Sequence, residues 1–256
     1  MPTPKSSLPT IVYEDDALIC FDKPSGMLIA PDRWDKTRPS LVGMILERWK
    51  GEVVNVHRLD ADTSGLIVCA KGKPYIRLMA SQFERRVVDK RYLALVRGQP
   101  AESDQVISKP LGPDKHKLGR MRVDKREGRP ASTRVHVLER FRDLALVECF
   151  PMTGRTHQIR VHLVEIECPI VCDPFYGTMD PVLLSQIKRS YKPKEEERPL
   201  LARLALHSTA ATFTHPVTGL PITIEAPLPK DMALALKYLR QYGRLAVSQR
   251  DSRASP

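Results

Sequence analysis

Short apolar segments, each bounded by turn-forming residues, recur along this chain and limit the folds it can adopt. The runs GLIVCA at 65–70 and LALVECF at 144–150 are examples, since each has the length of one strand. Such segments in hairpin-like succession, with few helices between them, favour an α+β domain with a mainly antiparallel sheet. The other segments that predict strands are 11–23 (two strands about an Asp-rich turn), 53–56, 89–97, 132–138, 201–215 and 221–227.

Helical spacing of apolar residues marks only a few segments. One is 41–49, and a shorter one is 231–240. Another begins near Pro74, where a stripe of apolar side chains predicts a face that packs in the core. The residues of that stripe are Ile76, Met79, Ala80 and Phe83.

A further helix is predicted after the turn PMTGRTH, with Thr153 or Thr156 as its N-cap. Steps of 100° divide this helix into two faces. We expect one face to be buried and the other to offer a cation. The first face carries Ile159, Leu163 and Ile166, and the second carries His157, Arg160 and Val164.

No internal repeat and no long flexible linker divides the 256 residues, so the sequence predicts a single domain at 10–241. The Pro- and Ser-rich residues 1–9 are predicted to be disordered, and the polar residues 242–256 to form a mobile tail. The segment 178–199, which contains PKEEERP, predicts an exposed insertion.

The chain has 41 Lys and Arg against 30 Asp and Glu, a net charge of +11. This excess favours a polyanionic partner, RNA or another nucleic acid before an anionic membrane. No apolar run is long enough to span a membrane, and the N-terminus MPTPKSSLPT does not resemble a secretory signal. Five scattered cysteines, mostly in apolar runs, predict reduced core thiols in a cytoplasmic protein.

Much of the positive charge lies in the polar segment 99–130. It can be interpreted as a solvated loop, but the basic character of the whole chain favours a surface that faces RNA. Its basic residues are Lys109, Lys115, Lys117, Arg120, Arg122, Lys125, Arg126 and Arg129.

Four ionisable residues, His57, Arg58, Asp60 and Asp62, lie within six positions and end in the turn signal Thr-Ser-Gly before an apolar strand. Such a cluster at a strand edge is typical of active sites and also of solvated turns. A neighbouring arginine favours the ionised form of a carboxylate, so Asp60 is expected to act as a nucleophile or base and not as an acid.

Other chemistries fit poorly. His157, His162, Cys168 and Cys172 lie within sixteen residues, but their spacing is not that of a zinc site. The sequence His-Arg-Leu-Asp lacks the Asn and the Gly-rich loop of a kinase, and no dinucleotide or Walker fingerprint is present. The sequence therefore predicts neither a metal nor a nucleotide cofactor.

Five motifs, in this order and at these separations, resemble the pseudouridine synthases of the RluA type. They are HRLDADTSGLIVCAK, KRYLALVRG, PMTGRTHQIRVHL, PIVCDPFYG and RLALHSTAATFTHPVTG, and the likeness runs from about Ile11 to Pro227. The resemblance implies a single α+β catalytic domain with a long, mostly antiparallel sheet and a central active-site cleft. It also implies conversion of uridine to pseudouridine in ribosomal or transfer RNA, without metal or cofactor.

The resemblance assigns roles by position. Asp60 is the expected catalytic aspartate, attacking either the uracil ring or the sugar carbon of the glycosidic bond. Tyr92 is expected to lie against the target base and help to remove a proton, and Arg160 to pair with Asp60. Arg58 is expected to fill the gap that a flipped uridine leaves in the RNA.

Supporting roles are expected for the neighbours of these residues. His57 is predicted to support the loop through hydrogen bonds, and Asp62 to cap the turn through its side chain. Arg155 and His157 are either structural or in contact with RNA phosphate.

The sequence departs from the family pattern at Ala61, where Arg or a polar residue is frequent, and at Cys168 and Cys172, where glycine is frequent. The latter two affect the expected loop geometry and not the proposed catalytic set. The first catalytic strands begin close to residue 1, so the separate N-terminal RNA-binding domain of many relatives is not expected here.

Two other classes of function remain open at the level of sequence. One is a non-catalytic RNA-binding protein that retains the fold, against which the Asp60, Tyr92 and Arg160 set argues. The other is a metal-dependent nuclease that uses the same carboxylates. A monomer is expected.

Overall fold

The computed structural model of the protein describes residues 8–32, 35, 37–193 and 196–245. The tail residues 246–256 and most of the predicted disordered N-terminus, 1–7, lie outside the described residues. The strands are β1 (Thr10–Glu14), β2 (Leu18–Lys23), β3 (Val53–Asn55), β4 (Ser64–Lys71), β5 (Asp89–Arg97), β6 (Asp104–Ser108), β7 (Leu111–Pro113), β8 (Met121–Val123), β9 (Ser132–Arg140), β10 (Leu144–Pro151), β11 (Leu206–Thr214) and β12 (Pro221–Glu225). The helices are α1 (Leu41–Trp49), α2 (Gly72–Glu84), α3 (Gln158–Glu165), α4 (Leu184–Ile187) and α5 (Lys230–Tyr242).

Ten of these strands form one sheet, in which β1, β2, β4, β11, β5, β10, β9 and β6 follow one another. Strand β3 pairs with β4, and β12 pairs with β11. All pairs are antiparallel except β4 with β11, which run parallel over a short stretch. The predicted α+β class with a mostly antiparallel sheet is confirmed.

The centre of the sheet is covered on both faces. Ile67 and Cys69 of β4 belong to one hydrophobic cluster with Leu41 and Ile45 of α1. The alternate residues of β4 belong to a second cluster with Met79 of α2. Side chains alternate across a strand, so a strand buried on both faces needs an unbroken apolar run, which GLIVCA supplies.

Gly65 permits the parallel contact between β4 and β11. Its φ is +111°, and a Cβ at this position would lie 2.2 Å from the carbonyl oxygen of Ser208. Only glycine fits both the backbone angle and the close approach. The glycine therefore places the start of β4, and the loop before it, against the middle of the sheet.

The basic segment contains β6 and the antiparallel pair β7–β8, so the alternative interpretation of it as a simple loop is excluded. Two sequence predictions need correction. The predicted exposed insertion includes α4 and buries Val182 and Ile187. Helix α5 continues through Tyr242, and the Gly243 carbonyl accepts a hydrogen bond from the Arg142 N–H, so the chain remains packed beyond 241.

None of the described helices has the length and apolar character needed to cross a membrane.

Candidate active site

The loop 56–63, which we call the Asp60 loop, joins β3 to β4 and places Asp60 beside the sheet centre. Its turn is closed by a hydrogen bond from the Thr63 N–H to the Asp60 carbonyl, 3.2 Å. The Ser25 hydroxyl donates to the Asp62 carbonyl at 2.6 Å. Main-chain carbonyls of the loop accept both of these hydrogen bonds, whereas no donor in the described residues bonds to the Asp62 carboxylate, so the predicted side-chain cap is wrong.

The buried Lys23 side chain binds the backbone of the Asp60 loop. The side chain is fully buried, and Nζ donates to the carbonyls of Pro24, Met27 and Ala61 at 2.9, 3.0 and 2.7 Å. Burial lowers the pKa of Lys23 to about 8, while the nearby carboxylates of Asp62 and Asp60 act in the opposite direction. Sequence reasoning missed this residue, although a lysine that ends the apolar strand LICFDK was a usable signal.

The Asp60 carboxylate is about one-fifth exposed and faces two cationic or polar groups. Its Oδ2 lies 3.8 Å from Arg160 Nη1 and 3.9 Å from His157 Nε2. These distances place both groups in electrostatic contact with the carboxylate while leaving its lone pairs open to the cleft. Asp60 therefore lies near a cation but does not form a hydrogen-bonded ion pair with it.

Arg160 pairs with Asp60 as predicted, but its tighter partner is Asp173, which sequence reasoning missed. Arg160 Nε and Nη2 donate to the two Asp173 oxygens at 2.8 and 2.7 Å, and both side chains are buried. Asp173 Oδ1 also accepts from the N–H groups of Phe175 and Tyr176. A bidentate, fully hydrogen-bonded pair has a fixed geometry, so Asp173 fixes the position of the guanidinium that reaches Asp60.

Helix α3 is buried around its whole circumference from Gln158 to Leu163. The prediction that only one face is buried is therefore wrong, because Asp173 neutralises Arg160 inside the protein. The predicted cation is present, since the Arg160 guanidinium still reaches Asp60. His162, once a candidate metal ligand, contacts the Thr133 hydroxyl and the Lys109 carbonyl instead.

The N-cap prediction for α3 is also wrong. His157, and not Thr153 or Thr156, occupies the N-cap position, with a left-handed φ of 55°. The turn before it is held by Gln158, whose Oε1 accepts from the Thr153 hydroxyl at 2.6 Å and from the Arg155 N–H at 3.1 Å. This turn brings the His157 ring toward Asp60.

Tyr92 of β5 lies in the cleft beside Asp60 and is only 8% exposed. Burial raises the pKa of Tyr92 to about 12; a hydrogen bond with Ser208 opposes the shift, and the Asp60 charge adds to it. The phenol is therefore neutral at physiological pH.

His57 supports the strand that follows the Asp60 loop. Its Nε2 accepts a hydrogen bond from the Val68 N–H at 2.9 Å, and its ring stacks on Phe83 with centroids 4.7 Å apart. Burial and the charge of Lys90 lower the pKa of His57 to about 3. The ring is neutral, with its proton on Nδ1, and its hydrogen bond holds β4 and not the Asp60 loop as predicted.

These groups border a cleft of about 380 Å³, a size suited to a nucleotide-sized ligand. Arg58 is exposed at this cleft, and Arg155 lines it while its Nε donates to the Pro130 carbonyl at 3.2 Å. The cleft also has two cationic residues that sequence reasoning missed, Arg86 and Lys90. Lys90 lies two positions before Tyr92, so strand alternation directs both side chains to one face.

Cys172 adopts a left-handed backbone, φ 55°, directly before Asp173. This is a conformation that glycine adopts more readily than any residue with a Cβ. Here the thiol is buried and lies 3.3 Å from the Asp180 carbonyl, so the cysteine is accommodated by packing.

No group of three or more His, Cys, Asp or Glu side chains that could hold a metal occurs in the part of the chain that the structure describes. The absence of a metal and of a cofactor remains a prediction.

The fold and the site together define a class of protein. Residues 17–165 match the family model described as RNA pseudouridylate synthase, and the chain belongs to this family, as a member of its RluA branch.

Two bacterial relatives are similar over most of the chain. Ribosomal large subunit pseudouridine synthase D of Neisseria meningitidis serogroup B is 38% identical over 234 residues, 90% of this chain and 61% of that protein. Dual-specificity RNA pseudouridine synthase RluA of Escherichia coli K12 is 35% identical over 218 residues, 85% of this chain and 92% of RluA. The chain thus spans about three fifths of the Neisseria protein and nearly all of RluA.

Two solved human structures share the fold. RNA Pseudouridylate Synthase Domain Containing 4 superposes with a TM-score of 0.69 at 25% identity, over 90% of this chain and 92% of that one. RNA Pseudouridylate Synthase Domain Containing 1 gives 0.67 at 27% identity, over 90% and 86%.

Proposed function

We propose that this chain isomerises uridine to pseudouridine in structured RNA, with Asp60 as the nucleophile. The observation that carries the proposal is the Asp60 carboxylate in a cation-lined cleft, 3.8 Å from the fixed guanidinium of Arg160 and beside the buried Tyr92. Family membership supports the reaction class.

The reaction breaks the bond between uracil N1 and ribose C1′ and forms one between C5 and C1′. The hydrogen on C5 leaves as a proton, and N1 gains one. Asp60 forms a transient covalent bond, to the uracil ring or to C1′, and is released when the new bond has formed. Arg160 stabilises the carboxylate before attack and after release.

Tyr92 enters this reaction as a neutral phenol, because its pKa is raised to about 12. Its position on β5 suits contact with the face of the uracil. A part in removing the C5 proton requires that its own proton leaves first, so packing against the base is its primary role.

A uridine reaches Asp60 only when it leaves its stack, at a cost of a few kcal/mol. Arg58, exposed at the cleft, is suited to fill the vacated position in the RNA. Arg155 and His157 complete the proposed substrate contacts, and His57 contributes by holding β4 beneath them.

The substrate class proposed is ribosomal or transfer RNA. Its support is the names of the relatives: the Neisseria protein is named for the ribosomal large subunit, and RluA is named as dual-specific. Five buried free thiols support a cytoplasmic site of action. The protein is proposed to act as a monomer without metal or cofactor.

The test is release of tritium from RNA that carries the isotope at uridine C5. We expect Asp60→Asn to lower the rate by more than about 1,000-fold, since the amide is a poor nucleophile of nearly equal shape. The matched control is Asp62→Asn, two residues away on the same loop, which is expected to stay within a few-fold of the parent protein.

An active Asp60→Asn variant contradicts the assignment of the nucleophile. A parent protein that binds RNA but releases no tritium from total cellular RNA contradicts the enzyme proposal and favours the non-catalytic RNA-binding alternative. Chelator-sensitive strand cleavage on a gel identifies the nuclease alternative.

A further inference from the structure

A chain of three polar contacts connects the Asp60 carboxylate to the basic segment. The Met121 N–H at the start of β8 donates to the Tyr176 hydroxyl at 2.7 Å. That hydroxyl lies 2.8 Å from His157 Nδ1, and His157 Nε2 lies 3.9 Å from Asp60 Oδ2. Tyr176 and Met121 have no role in the function proposed above.

The positions of the hydrogens follow from the donors and acceptors. A backbone N–H only donates, so the Tyr176 oxygen accepts from Met121. In the described part of the chain, the remaining contact of the hydroxyl is His157 Nδ1, which therefore accepts the phenolic hydrogen. A neutral imidazole with Nδ1 as acceptor has its proton on Nε2, the nitrogen that faces Asp60.

A second argument gives the same tautomer. With the proton on Nδ1, the Nε2 lone pair would face a carboxylate oxygen 3.9 Å away, which is repulsive. With the proton on Nε2, the N–H dipole points toward the negative charge.

We infer that His157 is a positioning residue, a neutral ring whose Nε2–H dipole points toward the Asp60 carboxylate and orients it, and that Tyr176 sets the tautomer of this ring through a hydroxyl held by β8. The inference rests on the proposed function, since orientation of Asp60 matters only if Asp60 reacts.

Neighbouring residues fix the positions of the Tyr176 and His157 rings. The Tyr176 ring is flanked by the guanidinium groups of Arg120 and Arg160, whose central carbons lie 4.9 and 5.2 Å from its centroid. His157 is held in a left-handed backbone conformation that a non-glycine residue rarely adopts, and this conformation aims its ring at Asp60. Burial lowers the pKa of His157, with Asp60 opposing and Arg160 reinforcing the shift, which agrees with a neutral ring.

The decisive measurement is independent of activity. In protein labelled with ¹⁵N-histidine, the ring nitrogen shifts report which nitrogen of His157 bears the proton. We expect the Nε2–H tautomer in the parent protein, and a mixture with Nδ1–H in Tyr176→Phe, which keeps the ring and loses the hydroxyl. The control Tyr238→Phe changes a tyrosine on α5 that stacks on Tyr242, and it is expected to leave the His157 shifts unchanged.

Kinetics provide the second readout. Tyr176→Phe is expected to lower kcat for tritium release roughly tenfold with little change in KM, because the hydrogen bond that holds the His157 ring and its tautomer is lost. His157→Gln, whose amide nitrogen reaches the position of Nε2, is expected to retain more activity than His157→Asn, which tolerates the left-handed backbone but is too short.

An Nδ1–H tautomer in the parent protein overturns the inference, and so does a Tyr176→Phe variant with unchanged kcat. Equal activity in His157→Gln and His157→Asn also overturns it. Failure of the proposed function is recognised separately, as the absence of tritium release by the parent protein whatever the tautomer.

Discussion

The Asp60 loop and the segment 109–129, here called the basic hairpin, use positive charge in opposite ways. Next to the Asp60 loop, the buried Lys23 ammonium donates to three main-chain carbonyls, one of them in the loop, and fixes the loop backbone. On the basic hairpin, Lys117 and Lys125 are exposed, and Lys115 pairs with an equally exposed Glu127. One set of charges maintains the backbone geometry, and the other is exposed to solvent, where the proposed RNA substrate could contact it.

The difference predicts how each region responds to change. A buried charge costs free energy when its partner is removed, and salt screens it little. An exposed charge contributes little to folding and is strongly screened. Loss of charge near Asp60 should therefore affect stability, while loss of charge on the hairpin should affect the salt dependence of RNA binding.

The largest expected effect comes from Asp173→Asn, which leaves the buried Arg160 guanidinium without its anion. We expect the free energy of unfolding to fall by about 3–5 kcal/mol, measured by urea denaturation. The comparison is Glu127→Gln, which breaks the exposed hairpin pair and should cost less than about 1 kcal/mol. Equal losses in the two variants would show that burial does not separate the two regions.

An intermediate loss in the free energy of unfolding is expected for Lys23→Met. Removing the donor leaves carbonyls of Pro24 and Met27 without this partner, and we expect a loss of about 2 kcal/mol at pH 7. The Asp60 loop should also loosen, so tritium release should fall further than the stability loss alone explains.

The same variant tests the lowered pKa of Lys23. Between about 8, the folded value, and 10.5, the ordinary value, the unfolded chain binds a proton that the folded protein has released. Stability contributed at this site therefore rises with pH across that window. Urea unfolding at pH 7 and pH 9.5 should show the gap between the parent protein and Lys23→Met widening in favour of the parent, and a constant gap contradicts the lowered pKa.

The sequence predicted the centre of the fold better than its polar connections. Strands β4, β5 and β10 follow from apolar runs, and α1 was predicted at its observed bounds. Strands β7 and β8 were missed, because three-residue strands in a polar segment have too little apolar pattern to detect.

The candidate site was predicted in part for similar reasons. The motifs identified Asp60, Tyr92 and Arg160, and the structure brings them to one cleft. Arg160 does lie near Asp60 as predicted, but its tighter partner Asp173 was missed, because Asp173 lies thirteen residues away and its approach depends on the left-handed turn at Cys172. Tyr176 was missed because its role depends on a backbone N–H group, whose position no residue pattern reports. Lys23 had a signal, a lysine at the end of an apolar strand, but the three carbonyls that it contacts could not be read from the sequence.

The smallest effect on folding is expected on the basic hairpin. Replacing both Lys117 and Lys125 with Gln should change the free energy of unfolding by less than about 0.5 kcal/mol, since both side chains are exposed. If each contacts a phosphate, the slope of log binding constant against log salt concentration should become shallower by between one and two. KM for tritium release should rise at physiological salt while kcat stays the same.

The charge control is Lys73→Gln, which replaces an exposed lysine at the start of α2 and should leave the slope unchanged. Because Tyr176 joins β8 to the active site, a fall in kcat in the hairpin variant without a change in the salt slope would mean that the hairpin acts on Asp60 geometry and not on RNA attraction, and the division between the two regions would be wrong.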